Sequence, residues 1–242
     1  MADEQPMQLL SHVFPSLRPA AIAQLAGHCI ETEYNEGELV AQEGSFASGV
    51  HIVKTGLVKI GKYGDRDGEK RVLRFLGVGE MFGLEAVILE HSANLEYAKT
   101  VLASTLVFVD RGSLLGFKSS HPELCSDFCR WLAREVVMLE YKLSRDAVGS
   151  LDRNLALLLL ALAHNYGQRD DRGVVVELPV SRRVMADMLG VSVESLLRSL
   201  KRFRDRRELT TSGRQVILAD LERLQLRART TPFYLSIIRE TL

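Results

Sequence analysis

Residues 178–204 read LPVSRRVMADMLGVSVESLLRSLKRFR, and this stretch decides the fold of the C-terminal half of the chain. Ser181 is a good N-cap for a helix that runs through Leu189. The three residues that follow, Gly190-Val191-Ser192, suit a tight turn into a second helix. The stretch therefore predicts a helix-turn-helix.

The second helix has an apolar side and a polar side. Apolar residues spaced by four and then three positions predict packing on the first helix: Leu196, Leu200 and Phe203. Their expected partners there are Met185, Met188 and Leu189. The opposite side carries the candidates for reading DNA bases: Val193, Glu194, Leu197 and Arg198. Because Glu can accept from cytosine N4 and Arg can donate twice to guanine, this side suits a major groove.

Basic and polar residues around this helix predict contacts with DNA phosphates. The candidates are Arg182, Ser192, Lys201, Arg202, Arg204 and Arg214. Residues Thr210–Leu218 then form a turn and strand typical of the wing of a winged helix. A solvated amphipathic helix in a bundle is the alternative, but the turn residues, the basic charge and the wing together favour DNA binding.

Positive charge is concentrated in this region. The chain of 242 residues carries 31 Lys+Arg and 31 Asp+Glu, so its formal net charge is zero. Residues 181–214 hold nine bases and four acids, a net charge of +5, which leaves −5 for the remainder. A basic segment on an acidic body indicates two domains with different partners. We expect the acidic body to limit unspecific DNA binding.

Composition narrows the class of protein. Hydrophobic residues make up 46% of the chain and charged residues 26%, which fits a globular protein and excludes a disordered one. The longest apolar run, Leu155–Ala163, is too short to cross a bilayer. The first six residues include acidic side chains, whereas a secretory signal begins with basic ones. We therefore expect a cytoplasmic protein with no membrane partner.

Upstream of residue 110 the pattern is that of short strands. A helical start is predicted over Met7–Ile30. The β-rich runs that follow are Glu38–Ala41, Gly49–Val53, Gly56–Ile60, Arg71–Phe75 and Thr100–Val109. Because Gly-rich turns separate most of these runs, the pattern favours a sandwich or a small barrel.

Past Pro122 the apolar period changes to that of a coiled coil. Spacings of four and three residues define a heptad seam: Cys125, Cys129, Leu132, Val136, Leu139 and Leu143. A seam this narrow is typical of a helix that faces a partner helix, and it predicts a homodimer. A single helix packed on its own domain is the alternative.

Residues 189–203 resemble the recognition segment of the cyclic-AMP receptor/fumarate-nitrate reductase regulator (CRP/FNR) family. Residues 39–44, 51–60 and 77–83 are similar to earlier family segments in the same order. The resemblance implies a homodimeric transcription regulator that binds a palindromic DNA site and contacts RNA polymerase.

The resemblance also implies an α+β fold in four parts. The first is a β-roll sensor domain, a double-stranded jelly-roll like that of cyclic-nucleotide-binding domains. A long dimerisation helix, a winged helix-turn-helix domain and a C-terminal extension follow it. The boundaries of the four parts are 1–121, 122–148, 149–220 and 221–242.

The family's nucleotide pocket is altered here. The residues in its place are Phe82, Gly83, Leu84, Glu85, Glu96 and Tyr97. Nucleotide-binding members follow the Gly83 position with Glu, and they carry Arg-Ser or Arg-Thr where Glu96-Tyr97 stand. Because an acid repels the phosphate and no neighbouring residue restores the arginine, we do not expect cyclic AMP. Members also have Gly or Asn at the end of the recognition helix, where Arg207-Glu208 stand.

The sequence leaves the signal open. Cys29 is the only cysteine before the β-roll, so a four-thiolate 4Fe-4S cluster within one chain is not expected. His28 and His91 are candidate axial haem ligands. Cys125 and Cys129 could respond to oxidation, and burial as small apolar side chains is the alternative. A gas, a redox signal, a small molecule or no effector at all are compatible with these residues.

Two other classes of function are alternatives to a DNA-binding regulator. The first is a metal-dependent, cupin-like β-barrel enzyme, against which the lack of an H-x-H pair argues. The second is a ligand-binding module that regulates a protein partner. We expect no enzymatic activity.

Overall fold

The structure is a computed structural model that describes residues 4–63, 70–90, 93–148 and 151–228. The chain divides between Met138 and Leu139 into two units. The first holds the predicted β-roll and most of the long helix, and the second holds the helix-turn-helix.

The first unit consists of helices around two antiparallel sheets. Its helices are α1 Glu4–Val13, α2 Pro19–Ala26, α3 Leu84–Ile88, α4 Arg111–Ser120 and α5 Leu124–Val148, the last of which continues into the second unit. Its strands are β1 Cys29–Tyr34, β2 Leu39–Ala41, β3 Gly49–Thr55, β4 Val58–Tyr63, β5 Lys70–Leu76, β6 Met81–Phe82, β7 Tyr97–Thr100 and β8 Ser104–Asp110. The sheet orders are β1-β8-β3-β6 and β2-β7-β4-β5. This architecture confirms the predicted β-roll.

Two boundaries in the first unit differ from the predictions. The helical start is broken between α1 and α2, where Pro15 lies, and Pro19 begins α2. Ile30 lies in strand β1. The predicted strand Thr100–Val109 is two strands, because β7 pairs with β2 and β4 while β8 pairs with β1 and β3 in the other sheet. The chain changes sheets between Thr100 and Ser104.

Helix α5 presents two apolar faces. Leu124 and Phe128 are buried in the core of the first unit, together with side chains of both N-terminal helices. The seam residues lie on the other face, where Leu132, Val136 and Leu139 are 39%, 54% and 54% exposed. The helix therefore packs on its own domain and leaves the seam uncovered in the single chain. The side chain of Leu143 lies outside the described residues.

The second unit is a winged helix. Its helices are α6 Leu151–Tyr166, α7 Arg182–Leu189, α8 Val193–Asp205 and α9 Leu221–Ala228. Its strands are β9 Gly167–Asp170, β10 Gly173–Glu177, β11 Leu209–Ser212 and β12 Gln215–Leu218, in the antiparallel order β11-β12-β10-β9. Strands β11 and β12 are the predicted wing.

Helix α9 is part of this second unit. Leu224 and Ala228 are fully buried, and Arg153 Nε of α6 donates to the carbonyl of Ala228 at 3.1 Å. Arg227 bonds to the buried carboxylate of Glu208 and lies over the ring of Phe203, 5.1 Å from its centroid. Residues 221–228 of the predicted extension are therefore docked on their own domain. Residues 229–242 lie outside the described part.

Within the described ranges, no helix combines the length and the hydropathy needed to span a bilayer.

Candidate nucleic-acid interface and β-roll pocket

Two serine caps and one glycine set the two helices of the helix-turn-helix. Ser181 Oγ accepts from the backbone N–H of Val184 at 3.3 Å, which caps α7. Gly190 ends α7 with φ +66°, in the left-handed region that favours glycine. Ser192 Oγ accepts from the N–H of Ser195 at 3.2 Å, which caps α8. The local residue choices thus produce the predicted turn.

The apolar side of α8 is buried as predicted. Leu196, Leu200 and Phe203 are each at most 3% exposed. On α7, Met185 and Leu189 are buried, and Met188 is half-buried. This packing decides which side of α8 faces solvent.

The base-reading candidates lie on the solvent side of α8. Glu194, Leu197 and Arg198 are exposed, and Val193 is half-buried. Arg198 Nη2 donates to Ser195 Oγ at 2.9 Å, which holds the guanidinium along the helix. Its own backbone N–H and the Ser192 hydroxyl lower the pKa of the Glu194 carboxyl, so Glu194 is ionised and accepts hydrogen bonds only.

The phosphate candidates fall into two groups. Lys201 and Arg204 are exposed on α8, and Arg204 Nη1 donates to Thr211 Oγ1 of the wing at 3.1 Å. Ser192 is the exposed cap at the start of the same helix. These three have side chains at the surface that DNA would meet.

The other three candidates have partners inside the unit. Arg214 donates to the carbonyls of Leu178 and Pro179, and it holds the wing to the segment before α7. Arg182 is half-buried, and burial and then Arg204 lower the pKa of its guanidinium. Arg202 forms an ion pair with Asp152 of α6, a residue that sequence reasoning did not single out. These three side chains are thus engaged within the unit, and their contact with phosphates stays a prediction.

The end of α8 forms without the Gly or Asn that the family has at this position. Arg207 adopts φ +59° and occupies the left-handed position itself. The N–H of Glu208 then donates to the carbonyl of Phe203 at 3.0 Å, which closes the helix end. The departure at Arg207-Glu208 leaves the helix end and the wing in place.

The β-roll contains a narrow pocket at the expected place. Five of the six tentative pocket residues line it: Phe82, Gly83, Glu85, Glu96 and Tyr97. Leu84 does not, because its side chain is fully buried in the core beneath α3. The pocket leaves about 10 Å³ of free space, which is about the room that one water molecule requires.

Arg74 of strand β5 lies beside this pocket. Its Nη2 donates to Glu96 Oε2 at 3.1 Å and lies 3.7 Å from Glu85 Oε1. Its Nη1 donates to Glu135 Oε2 of α5 at 2.5 Å. The expectation that no residue restores an arginine was therefore wrong, since a strand distant in sequence supplies one. Burial, and to a smaller extent the negative charges of Glu85 and Glu135, raise the pKa of Glu96 and outweigh Arg74, which lowers it.

The described histidine and cysteine candidates lie on different elements of the first unit. His28 is exposed on the turn after α2, and His91 lies outside the described residues, so haem ligation stays an untested prediction. Cys125 and Cys129 are exposed on the seam of α5, which excludes burial within the single chain. Burial and then Glu31 raise the pKa of the Cys29 thiol to about 11. Among the described residues, no group of three or more metal-binding side chains was found.

Two family models match the chain in the order of its units. A cyclic nucleotide-binding domain matches residues 31–121, and a Crp-like helix-turn-helix domain matches residues 154–227. Together they cover more than half of the chain. The first model corresponds to the β-roll, and the second includes α7, α8, the wing and most of α9.

Two curated relatives match over more than nine-tenths of their length. The chain is 28% identical, over 90% of its length and 96% of the relative's, to a CRP-like cAMP-activated global transcriptional regulator of Mycobacterium tuberculosis. It is 27% identical to the nitrogen fixation regulation protein FixK of Azorhizobium caulinodans, over 91% and 93% of the two chains. Among solved structures, FixK2 from Bradyrhizobium japonicum has a similar fold, with a TM-score of 0.71, 24% identity, and coverage of 84% and 98%.

Proposed function

Because the chain belongs to the CRP/FNR family of transcription regulators, we propose that it acts as a homodimer whose two α8 helices read a palindromic DNA site. The observation that carries the proposal is the outward side of α8, where Glu194 and Arg198 lie one turn apart on a helix that Ser192 caps. Half-sites about one DNA turn apart suit a twofold protein dimer.

Each base-reading residue has its own chemistry. Arg198 donates to guanine, and the ionised Glu194 accepts from cytosine N4. Leu197, 48% exposed, and Val193 offer apolar contact to thymine methyl groups. Lys201 and Arg204 contact phosphates and fix the register. Contacts with RNA polymerase and a cytoplasmic location belong to the same proposal and rest on the family alone.

The proposal is tested by selecting a binding site from random DNA and then measuring its affinity by gel shift. Arg198→Ala is expected to lose discrimination at one position of each half-site, at a cost of about 1–3 kcal/mol. Lys201→Ala is expected to weaken all sequences alike. Arg172→Ala, which removes an exposed arginine from the β9–β10 turn of the same unit, is the matched control. Full discrimination by Arg198→Ala would contradict the assigned reading side.

We further propose that the β-roll does not bind cyclic AMP. Glu96 occupies the position of the family's phosphate-binding arginine, and the guanidinium of Arg74 is already held by carboxylates. The pocket has room for about one water molecule, far less than a nucleotide needs. Isothermal titration of the full chain with cyclic AMP is expected to show no binding at millimolar concentration, and saturable heat would contradict the proposal.

An absorption spectrum separates the remaining signals. A Soret band in freshly purified protein, changed by reductant, would assign haem to the sensor domain and would direct attention to His28 and His91. A featureless spectrum would leave a small molecule, thiol oxidation or no effector. No enzymatic step is proposed for this chain.

A further inference from the structure

A carboxylate on α6 faces three residues on successive turns of α8. Asp152, in the first turn of α6, accepts a hydrogen bond from the hydroxyl of Ser199, which is fully buried. It also accepts from Arg202, both from Nη2 and from Nε, the latter at 3.1 Å. Arg206 Nη1 lies 3.9 Å from Asp152 Oδ2. One acid thus binds two of the basic residues that give residues 181–214 their positive charge.

The position of these arginines on α8 brings them close to DNA. Arg202 follows Arg198 by one turn and Glu194 by two, so it borders the reading side of the helix. Its side chain is 44% exposed and that of Arg206 is 47% exposed, whereas that of Asp152 is 15% exposed. The two guanidinium groups therefore lie at the surface but are paired with a carboxylate behind it.

The pairing matters because the two modes of DNA binding depend on charge to different degrees. Unspecific binding comes almost entirely from neutralising phosphates, whereas specific binding adds contacts with base edges. An arginine held by an internal carboxylate contributes less to the phosphate attraction. Its pairing therefore lowers the charge-driven part of DNA affinity, which makes up almost all of unspecific binding.

We propose that Asp152 holds Arg202 and Arg206 away from DNA phosphates and so limits the charge-driven binding of the chain to DNA of any sequence. The proposal rests on the proposed function of α8 as a DNA-reading helix. Burial alone would raise the pKa of Asp152, but hydrogen bonds from Arg202 and Ser199 lower it, so the carboxylate stays ionised around neutral pH. The bond to Ser199 keeps this carboxylate against α8 in the same arrangement.

The test is Asp152→Asn in the full chain. Asparagine retains an acceptor for Ser199 but loses the charge that binds the two arginines. The measurement is the slope of log affinity against log salt concentration on random-sequence duplex DNA. We expect the slope to steepen by about 0.9 for each arginine released onto a phosphate. Unspecific affinity at about 0.1 M salt should rise tenfold or more.

Two further variants separate release of the arginines from the loss of one acid. Asp170→Asn removes the same charge and frees Arg172 in the same unit, but off α8, and it should leave the slope unchanged. Adding Arg202→Gln to Asp152→Asn should reverse part of the steepening. Arg202→Gln alone should leave the wild-type slope unchanged, because that arginine is not on a phosphate in the wild type.

The outcomes distinguish this inference from the function beneath it. If the wild-type chain binds no duplex DNA, the proposed function fails. If it binds a selected site but Asp152→Asn keeps the wild-type slope on random-sequence DNA, only the role of Asp152 fails. If Asp152→Asn does not fold, the single Arg202→Gln variant still decides, since a shallower slope would show that Arg202 already contacts phosphate and would overturn the proposal.

Discussion

Arg74 of β5 donates to Glu135 of α5 at 2.5 Å, which joins the pocket side of the β-roll to the long helix. The same guanidinium binds Glu96 and lies close to Glu85, so one cation serves three carboxylates. Burial alone would lower the pKa of Arg74, but these carboxylates outweigh it and raise that pKa. The arginine therefore stays charged beside the β-roll pocket that Glu85 and Glu96 line.

We expect Arg74→Ala to lower the free energy of unfolding by about 2–3 kcal/mol, because it leaves three poorly solvated carboxylates without a cation. Urea denaturation at about pH 7 measures this loss. Lys54→Ala, which breaks an ion pair with Glu31 on the surface of the same domain, is the control and should cost at most about 1 kcal/mol. An equal loss of unfolding free energy in the two variants would show that the three carboxylates do not need Arg74 for their stability in the fold.

The deficit of Arg74→Ala should shrink on acidification. The pKa of Glu96 is raised above its ordinary value of 4.5, so the folded chain takes up this proton at a higher pH than the unfolded chain does. A fall in pH toward that value therefore favours the folded state, and it does so more when Arg74 is absent. Repeating the urea denaturation of the wild type and Arg74→Ala at about pH 5 checks whether the stability deficit shrinks. A deficit that grows with acid would contradict the assigned electrostatics.

His51 provides a second pH effect, of the opposite sign. The centroid of its ring lies 4.8 Å from that of Phe82, on which it stacks, and 4.7 Å from that of Phe108. Burial lowers the pKa of His51 from 6.5 to about 4. Between these values the unfolded chain binds a proton that the folded chain does not. Stability is therefore present above pH 6.5 and is lost progressively as the pH falls toward 4. The loss amounts to about 3 kcal/mol.

His51→Phe keeps an aromatic ring at this position and removes the titration. Its free energy of unfolding should change less between about pH 6.5 and pH 4.5 than that of the wild type. An NMR titration of the His51 ring protons in the wild-type chain measures the pKa directly. A midpoint near 6.5 would contradict the buried, neutral imidazole.

The helix-turn-helix could be predicted from sequence because its determinants are local. Ser181, Gly190 and Ser192 act on neighbouring backbone groups, and the spacing of Leu196 and Leu200 sets the buried side of α8. Such signals lie within a few residues of the structure that they specify. The turn and strand of the wing could be predicted for the same reason, whereas the order of the domains followed from the resemblance to the CRP/FNR family.

The electrostatic partners could not be predicted, because they join distant parts of the chain. Arg74 meets Glu135 across 61 residues, and Asp152 meets Arg202 across 50. No periodicity or spacing marks such pairs. The number of basic residues on α8 can be read from the sequence, but only the fold shows which of them form ion pairs with a carboxylate inside the unit.

The end of α8 allows a prediction about backbone strain. Arg207 holds φ +59°, a conformation that costs an L-residue about 1–2 kcal/mol relative to glycine. Arg207→Gly relieves this cost but gives the unfolded chain more freedom, so we expect a net gain of about 0.5–1 kcal/mol in the free energy of unfolding. Arg206→Gly is the matched control, because Arg206 has φ −88° and should lose stability. Thermal denaturation of both variants separates strain at residue 207 from a general effect of removing charge.

The uncovered seam of α5 gives the prediction that bears on the assembly. Val136 is 54% exposed in the single chain although it lies at the centre of an apolar row with Leu132 and Leu139. In a parallel pair of helices this row would meet its copy, and a carboxylate in each helix would face the other across an apolar contact. We therefore expect Val136→Glu to be monomeric in sedimentation equilibrium while its circular dichroism stays that of the wild type.

A monomer engages one half-site at a time, so its affinity for the palindromic site should fall by about 10²–10⁴-fold. Ser119→Glu, which adds the same charge at an exposed position of α4, should change neither property. A Val136→Glu chain that stays dimeric would place the homodimer contact elsewhere on the molecule.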